Sequence, residues 1–264
     1  MSGASAWFQV IRPRAVASSP AASRRLYCFP YAGGAPSAFR ALASHLRQDV
    51  EVYVASLPGR GPRATEPPVD DLRLLCSWLA DALITSAVRE FVFFGHSMGA
   101  LLSFEVAREL RRRGSISPAG LLVSGARAPA LAGTAGGMRH HDLPRDELIE
   151  HLRKLEGTPP EVLAMPELMD LLLPGLRADF KICETYRYVA EPPLSVPLMV
   201  LFGEDDEEVR PEHASAWRSA TTGECSIRSF PGGHFFFERH RPEVGRLLNE
   251  FMDRALRKPS DAPA

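Results

Sequence analysis

Gly95-His96-Ser97-Met98-Gly99 follows directly on the apolar run Phe91-Val92-Phe93-Phe94, and this segment is the clearest indication of the fold. The run is typical of a buried strand, and the five residues after it have the form of a nucleophile elbow, a tight turn from a strand into a helix. Such a turn requires small residues two positions before and after the serine, because neighbouring backbone comes close there. Gly95 and Gly99 meet this requirement, so the stretch predicts a nucleophile at Ser97.

A helix is predicted immediately after the elbow. Ala100 to Arg113 carries apolar residues at helical spacing, with charged residues on the other face. At the start of this helix the backbone N–H of Met98 is positioned to bind a developing oxyanion. A second donor is expected from the loop after the strand candidate Leu26 to Phe29. We assign it to the N–H of Ala32, with Tyr31 as the alternative, because glycines that follow let the chain turn back there.

An acid and a base are predicted downstream of Ser97, in the chain order that accompanies this kind of elbow. The strand candidate Leu198 to Phe202 is followed by two adjacent aspartates. We assign Asp206 as the acid that orients the histidine, with Asp205 as the alternative. A last strand ends in a glycine-rich turn that carries His234, which we predict to be the general base.

The other histidines are predicted to have no part in proton transfer. His96 lies beside the nucleophile but points away from it in an elbow, so we expect it to pack or to support its neighbours. Six more lie in segments typical of amphipathic helices or loops and are expected to be solvated surface residues: His45, His140, His141, His151, His213 and His240.

The strand candidates alternate with helical stretches, which is typical of a doubly wound, mostly parallel sheet. The fold class predicted is therefore α/β. The elbow in such a sheet indicates the α/β-hydrolase fold, and the interval described next indicates a helical lid insertion. The strand candidates are Trp7 to Ile11, which has a weaker pattern, Leu26 to Phe29, Val52 to Ser56, Phe91 to Phe94, Leu121 to Ser124, Leu198 to Phe202 and Ser226 to Phe230.

A long interval without a strand pattern separates the fifth and sixth strand candidates. It contains three amphipathic pieces, and an insertion at this point of the fold usually caps the active site. The pieces are Arg145 to Leu155, Glu161 to Ala164, and Glu167 to Tyr188 with an interruption at Pro174-Gly175. We predict a helical lid over about residues 127–196, inserted in a hydrolase domain over 26–257, with a partly flexible extension at 1–25 and a flexible tail at 258–264.

The lid has many apolar side chains and a group of glycines. A leucine and methionine stripe at helical spacing is more often packed core than ligand pocket, and both interpretations stay open here. The apolar residues are Met165, Leu168, Met169, Leu171, Leu172, Leu173, Leu176 and Phe180. Gly133, Gly136 and Gly137 are candidate hinge residues of the lid, or an ordinary surface loop.

Several motifs together resemble those of the type II thioesterases of polyketide and nonribosomal peptide assembly lines, within the α/β-hydrolase thioesterase family. The resemblance runs from about Leu26 to Phe251. The motifs are Cys28-Phe29-Pro30-Tyr31-Ala32-Gly33-Gly34, Leu57-Pro58-Gly59-Arg60-Gly61-Pro62-Arg63, Phe94-Gly95-His96-Ser97-Met98-Gly99-Ala100, Ala178-Asp179-Phe180 with Glu184-Thr185-Tyr186, and Phe230-Pro231-Gly232-Gly233-His234-Phe235.

This resemblance implies hydrolysis of acyl thioesters carried on the phosphopantetheine arm of acyl or peptidyl carrier proteins, with an editing role on stalled or wrongly loaded units. It implies Ser97, Asp206 and His234 as the catalytic triad and the amides of Met98 and Ala32 as the oxyanion hole. No metal or organic cofactor is expected. A carboxylesterase of the same fold, a medium-chain fatty-acyl thioesterase and a non-catalytic carrier-binding protein stay open as alternatives.

Cations near the predicted site are a possible means of attracting an acidic carrier domain or its phosphate. Arg60 and Arg63 in the second motif and the run Arg111-Arg112-Arg113 are the candidates. Solvated surface charge is the alternative for each of them.

Bulk composition agrees with one globular enzyme domain. The chain has 264 residues, of which 45% are hydrophobic, and its formal net charge is −1. A nucleic-acid-binding protein typically has an excess of basic residues, which this chain does not have. No signal-peptide or membrane-span pattern is recognisable, so we expect a cytoplasmic monomer that binds neither nucleic acid nor membrane. The four cysteines show no metal spacing and are expected to be buried free thiols: Cys28, Cys76, Cys183 and Cys225.

Overall fold

The fold is built on a seven-stranded sheet. The computed structural model describes residues 6–13, 24–132 and 139–257. The strands are β1 (Phe8–Arg12), β2 (Arg24–Phe29), β3 (Val50–Ala55), β4 (Phe91–His96), β5 (Gly120–Ser124), β6 (Leu198–Gly203) and β7 (Cys225–Phe230). All seven strand candidates of the sequence are present. Strands β4, β5 and β6 are buried along their whole length, because helices cover both faces of the sheet.

The strand order β1-β3-β2-β4-β5-β6-β7 is that of a doubly wound sheet. All neighbouring strands are parallel except β1, which pairs antiparallel with β3 at one edge. Because the chain runs from β2 to β3 on one side and then returns to β4 on the other, the carboxyl ends of β2 and β4 flank a switch point where ligands bind in such folds. The predicted oxyanion loop and the elbow follow these two strands.

Nine helices are present in the described residues: α1 (Arg40–Ala43), α2 (Leu72–Thr85), α3 (Met98–Arg112), α4 (Arg145–Leu155), α5 (Pro160–Leu163), α6 (Pro166–Thr185), α7 (Pro211–Ser215), α8 (Phe236–Arg239) and α9 (Arg241–Ala255). Helices α2 and α3 cover one face of the sheet and α1 and α9 the other. Along β4, Phe91 and Phe93 pack on the first pair, while Val92 and Phe94 pack on the second.

Helices α4, α5 and α6 lie in the interval predicted to be a lid, and they share an apolar cluster of their own. The bounds of α4 are those that its sequence pattern predicts. The predicted interruption at Pro174 is wrong, because α6 continues through this proline. A proline inside a helix removes one backbone hydrogen bond. Burial of Leu173 and Leu176 on either side of it holds the helix together in spite of that loss.

Other predictions meet the structure in part. The N-terminal segment expected to be an extension contributes β1 to the sheet. The candidate hinge glycines 133, 136 and 137 and the tail 258–264 lie outside the described residues. All four cysteines are free thiols; Cys28 and Cys76 are buried, whereas Cys183 and Cys225 are only partly so. Among the helices described, none has the length and apolar character that a bilayer span requires.

Candidate active site

The elbow places Ser97 between β4 and α3 in a strained backbone conformation. Its φ of 55° and ψ of −121° are rare for a residue with a side chain, and such strain is typical of functional sites. The surrounding backbone leaves no room for side chains at the two flanking glycines. A Cβ on Gly95 would lie 2.1 Å from the carbonyl oxygen of Gly99, and one on Gly99 would lie 1.9 Å from that of Phe29. The glycine requirement inferred from the sequence has this steric cause.

Ser97, His234 and Asp206 form one hydrogen-bonded chain. The Oγ of Ser97 lies 2.9 Å from Nε2 of His234, and Nδ1 of His234 lies 2.8 Å from Oδ2 of Asp206. A carboxylate only accepts, so Nδ1–H donates to it and Nε2 is left to accept the serine hydroxyl proton. The three residues come from the carboxyl ends of β4, β6 and β7, which meet at one edge of the sheet.

The two adjacent aspartates after β6 have different partners. Asp206 is 5% exposed, and its Oδ1 accepts the backbone N–H groups of Glu208 at 2.8 Å and Val209 at 3.3 Å. These bonds leave Oδ2 directed at His234. Asp205 is exposed and accepts the N–H of Gly232 at 3.1 Å, so it braces the histidine turn instead. The structure therefore brings Asp206, and not Asp205, to the histidine.

The loop after β2 lies against the elbow. The close approach of Gly99 to the carbonyl of Phe29 brings the end of β2 to the start of α3. Beyond it, Gly34 N–H donates to the Tyr31 carbonyl at 2.8 Å and closes a turn in which Gly33 has a φ of 76°. Met98 is the first residue of α3, and N–H groups in a first helical turn have no acceptor within the helix.

A buried ion pair ties this loop to the lid. Asp179 of α6 is fully buried, and its Oδ1 accepts Nη2 of Arg60 at 2.7 Å. Its Oδ2 accepts both Nη1 of Arg60 and the N–H of Gly33, the latter at 2.7 Å. Asp179 belongs to the motif Ala178-Asp179-Phe180, but the sequence pattern predicted no role for it. A charged residue within the apolar stripe of a helix was the available signal.

The arginines considered for carrier docking are engaged within the chain. Arg60 is buried against Asp179, so the interpretation as a docking cation is wrong for this residue. Arg63 donates to the Ser56 carbonyl at 2.9 Å, pairs with Glu66 and stacks on Trp7. The run of three arginines at the end of α3 is paired with acidic side chains: Glu109, Glu191 and Asp81.

The lid contacts both sides of the site. A Cβ on Gly33 would lie 2.6 Å from Cδ2 of Leu176, and one on Gly157 would lie 2.3 Å from the ring of Phe235, the neighbour of His234. Of the leucine and methionine stripe considered for an acyl pocket, three residues are buried in the lid's own cluster: Met169, Leu173 and Leu176. Met165 and Leu171 are more than half exposed, at 52% and 60%. The stripe is therefore packed core on one side of α6 and solvent-facing on the other.

His96 is fully buried beneath the site. Its Nδ1 lies 3.0 Å from Oγ of Ser124, while its Nε2 has no hydrogen-bond partner. A Cβ on Gly125 would lie 2.6 Å from the ring, so the imidazole packs tightly there. Burial, and to a lesser extent the neighbouring His234, holds the pKa of His96 well below its usual value. A neutral, packed ring agrees with the supporting role expected for it.

Three histidines of the lid are not the solvated surface residues that the sequence patterns predicted. His140 and His141 are half-buried, and each donates Nδ1–H to the carboxylate of Glu184. His151 stacks on His140 with ring centroids 3.8 Å apart. Burial and the interaction with His140 lower the pKa of His151 to about 4. Helical periodicity alone does not reveal such contacts between lid elements.

The sheet order, the strained serine turn and the downstream acid and histidine define an α/β-hydrolase. In this class a serine activated by histidine attacks acyl groups. The chain belongs to the thioesterase family, because the family model for the thioesterase domain matches residues 24–252.

Several relatives of the chain have names that refer to biosynthetic pathways. The gramicidin S biosynthesis protein GrsT of Aneurinibacillus migulanus is 39% identical over 237 residues, which cover 90% of each chain. The solved structure of the type II thioesterase BorB from the borrelidin biosynthetic cluster has a TM-score of 0.84 at 36% identity and covers 96% of this chain and 99% of its own. RedJ, a thioesterase of the prodiginine pathway of Streptomyces coelicolor, has a TM-score of 0.79 at 41% identity, with 89% and 91% covered.

Proposed function

We propose that the chain is an editing type II thioesterase, which hydrolyses acyl groups from the phosphopantetheine arm of carrier proteins in polyketide or nonribosomal peptide synthesis. The observation that carries the proposal is the hydrogen-bonded chain from Ser97 through His234 to Asp206. Membership of the thioesterase family and the thioesterases BorB and RedJ support the thioester as the bond that is attacked.

In the proposed mechanism, Nε2 of His234 takes the proton of Ser97 as Oγ attacks the thioester carbonyl. The carbonyl oxygen becomes an oxyanion, to which the N–H groups of Met98 and Ala32 donate. Collapse of this intermediate breaks the carbon–sulfur bond, and the pantetheine thiolate leaves with the proton from His234. Water then attacks the acyl-serine with His234 again as base, which releases the acid and restores the hydroxyl. Asp206 stabilises the imidazolium that forms in each half.

The reaction as proposed needs no metal or organic cofactor, because the nucleophile, base and oxyanion donors all belong to the chain. Carrier-protein domains of an assembly line are the proposed partners. A cytoplasmic location and a monomeric state stay predictions.

The proposal is tested by presenting each acyl group in three forms. Acetyl and longer acyl groups are offered as thioesters of a phosphopantetheinylated carrier protein, as thioesters of free coenzyme A and as p-nitrophenyl esters. We expect release from the carrier to be faster than from coenzyme A. Ser97→Ala and His234→Ala are each expected to lower turnover by about 10³-fold or more with an unchanged far-ultraviolet spectrum.

Three results would overturn the proposal. Hydrolysis of the oxygen ester with no release from either thioester carrier would identify a carboxylesterase. Equal rates on coenzyme A and on the carrier, with a sharp preference for medium-length acyl chains, would identify a fatty-acyl thioesterase. Binding to the carrier with no turnover of any substrate would identify a non-catalytic protein.

A further inference from the structure

A buried carboxylate on the lid helix holds the loop that carries the proposed oxyanion donor. Asp179 accepts three hydrogen bonds, two from the guanidinium of Arg60 and one, at 2.7 Å, from the N–H of Gly33. Arg60 and Gly33 lie 119 and 146 positions away from it in the chain. The carboxylate therefore joins the lid to the loops after β2 and β3.

Two hydrogen bonds, one within the loop and one to Asp179, orient the peptide groups that flank Ala32. The group between Tyr31 and Ala32 is held by its carbonyl, which accepts the N–H of Gly34 at 2.8 Å. No peptide bond in the described residues is cis, and in a trans peptide the N–H points opposite to the carbonyl. The N–H of Ala32 is thus directed away from the turn. The group between Ala32 and Gly33 is held by its N–H, which donates to Asp179.

Arg60 allows the carboxylate to be buried at this position. Asp179 has no exposed surface and Arg60 has only 5%, so the two charges are compensated by each other and not by water. Nη1 and Nη2 of Arg60 each donate to one oxygen of Asp179, and Oδ2 also accepts the N–H of Gly33. Packing of α6 reinforces the contact, since Gly175 lies against the backbone of Gly59 beside Arg60.

We infer that Asp179 and Arg60 are positioning residues, which hold the N–H of Ala32 in place for the oxyanion. This inference rests on the proposed function, because it assumes that Ala32 is a donor to the reacting carbonyl. Preorganised donors stabilise a transition state because they need no reorientation during the reaction. Since Asp179 belongs to α6, the seating of the lid helix on the loop also sets the geometry of the oxyanion hole.

A matched pair of double variants tests the inference. Arg60→Met/Asp179→Asn and Arg60→Met/Asp179→Leu both remove the ion pair. Asparagine has the size of aspartate and offers an oxygen to the N–H of Gly33, whereas leucine is larger and offers none. Removing both charges together avoids an uncompensated buried ion, so both variants are expected to fold. If the leucine variant does not fold, Arg60→Met/Asp179→Ala replaces it.

We expect the leucine variant to have a kcat about 30-fold or more below that of the asparagine variant, with KM for the acyl-carrier substrate within about threefold. The inhibition constant of phenylboronic acid, whose serine adduct places an oxygen in the oxyanion hole, is expected to rise by a similar factor. The acid limb of the pH profile is expected to stay in place, because the contact between His234 and Asp206 is unchanged.

A folded leucine variant with kcat and boronic acid affinity within about threefold of the asparagine variant would overturn the inference. The ion pair would then serve only to attach the lid. Failure of the proposed function is a separate result, because it is a lack of thioesterase activity in the unaltered protein. Phenylboronic acid and a p-nitrophenyl ester would still report on the oxyanion hole in that case, since both react at Ser97.

Discussion

Substitution of Asp206 by asparagine isolates the role of one hydrogen bond in the proposed mechanism. Asparagine has the same shape, and its oxygen can keep the N–H groups of Glu208 and Val209 that Oδ1 accepts at 2.8 and 3.3 Å. Its amide nitrogen then faces Nδ1 of His234 in place of Oδ2, which lies 2.8 Å away. The fold is expected to stay intact, while the partner of the imidazole changes from acceptor to donor.

The loss follows from the tautomer that this change imposes. An amide nitrogen that donates to Nδ1 forces the proton of His234 onto Nε2, the atom 2.9 Å from Oγ of Ser97. A protonated Nε2 cannot accept the hydroxyl proton, so general-base catalysis stops. The corresponding change in serine proteases lowers turnover by about 10⁴-fold. We expect a loss of about 10³- to 10⁴-fold here, which is about 4–5.5 kcal/mol in activation free energy.

The assay is turnover of an acyl-carrier thioester, with thermal unfolding measured on the same preparations. Asp205→Asn is the matched control, because the residue is adjacent and exposed and braces Gly232 instead of His234. Its turnover is expected to stay within about threefold of the unaltered protein. A loss of turnover below about tenfold for Asp206→Asn in a folded protein would contradict the role assigned to Asp206. A loss for Asp205→Asn greater than that for Asp206→Asn would contradict it as well.

Three further predictions concern stability. Gly99→Ala would place a Cβ 1.9 Å from the backbone oxygen of Phe29. We therefore expect the free energy of unfolding to fall by about 3 kcal/mol or more and the thermal midpoint by at least about 6 °C. A midpoint within about 2 °C of that of the unaltered protein would contradict this steric account. Met169→Ala leaves a cavity at a buried position of the lid, and we expect it to lower the free energy of unfolding in denaturant by about 2–5 kcal/mol. Leu171→Ala changes a residue that is 60% exposed and is expected to lower it by under about 1 kcal/mol. Equal losses would show that the assignment of the two faces of α6 is wrong. Burial and His140 lower the pKa of His151 to about 4. As pH falls from about 6.5 towards 4, the unfolded chain therefore binds a proton at this residue that the folded chain does not bind. The free energy of unfolding decreases over this range as a result. His151→Phe is expected to remove on the order of 1–2 kcal/mol of that decrease, less than the full shift would give because the ring is only half-buried, and an unchanged pH dependence would count against it.

Local patterns explain how much of the fold could be predicted. The central strands β4, β5 and β6 follow from short apolar runs, and α4 begins and ends where its amphipathic pattern does. Pro174 is the exception, because burial of its neighbours outweighs a local helix-breaking preference. The lid histidines are a second exception. His140 and Glu184 meet only when the segment before α4 packs on α6, and periodicity along one segment contains no record of that contact.

The serine turn and its two glycines could be predicted from the sequence, because they depend on backbone geometry within a few neighbouring residues. The order of acid and base follows from the fold class that such a turn indicates. Asp205 and Asp206 differ by one position in a loop, and only the packing of the folded chain turns one carboxylate to Gly232 and the other to His234. That packing also decided that Arg60 is a buried partner of Asp179 and not a surface cation. These two residues lie 119 positions apart, and their contact exists only because the lid helix packs against the loops at the carboxyl edge of the sheet.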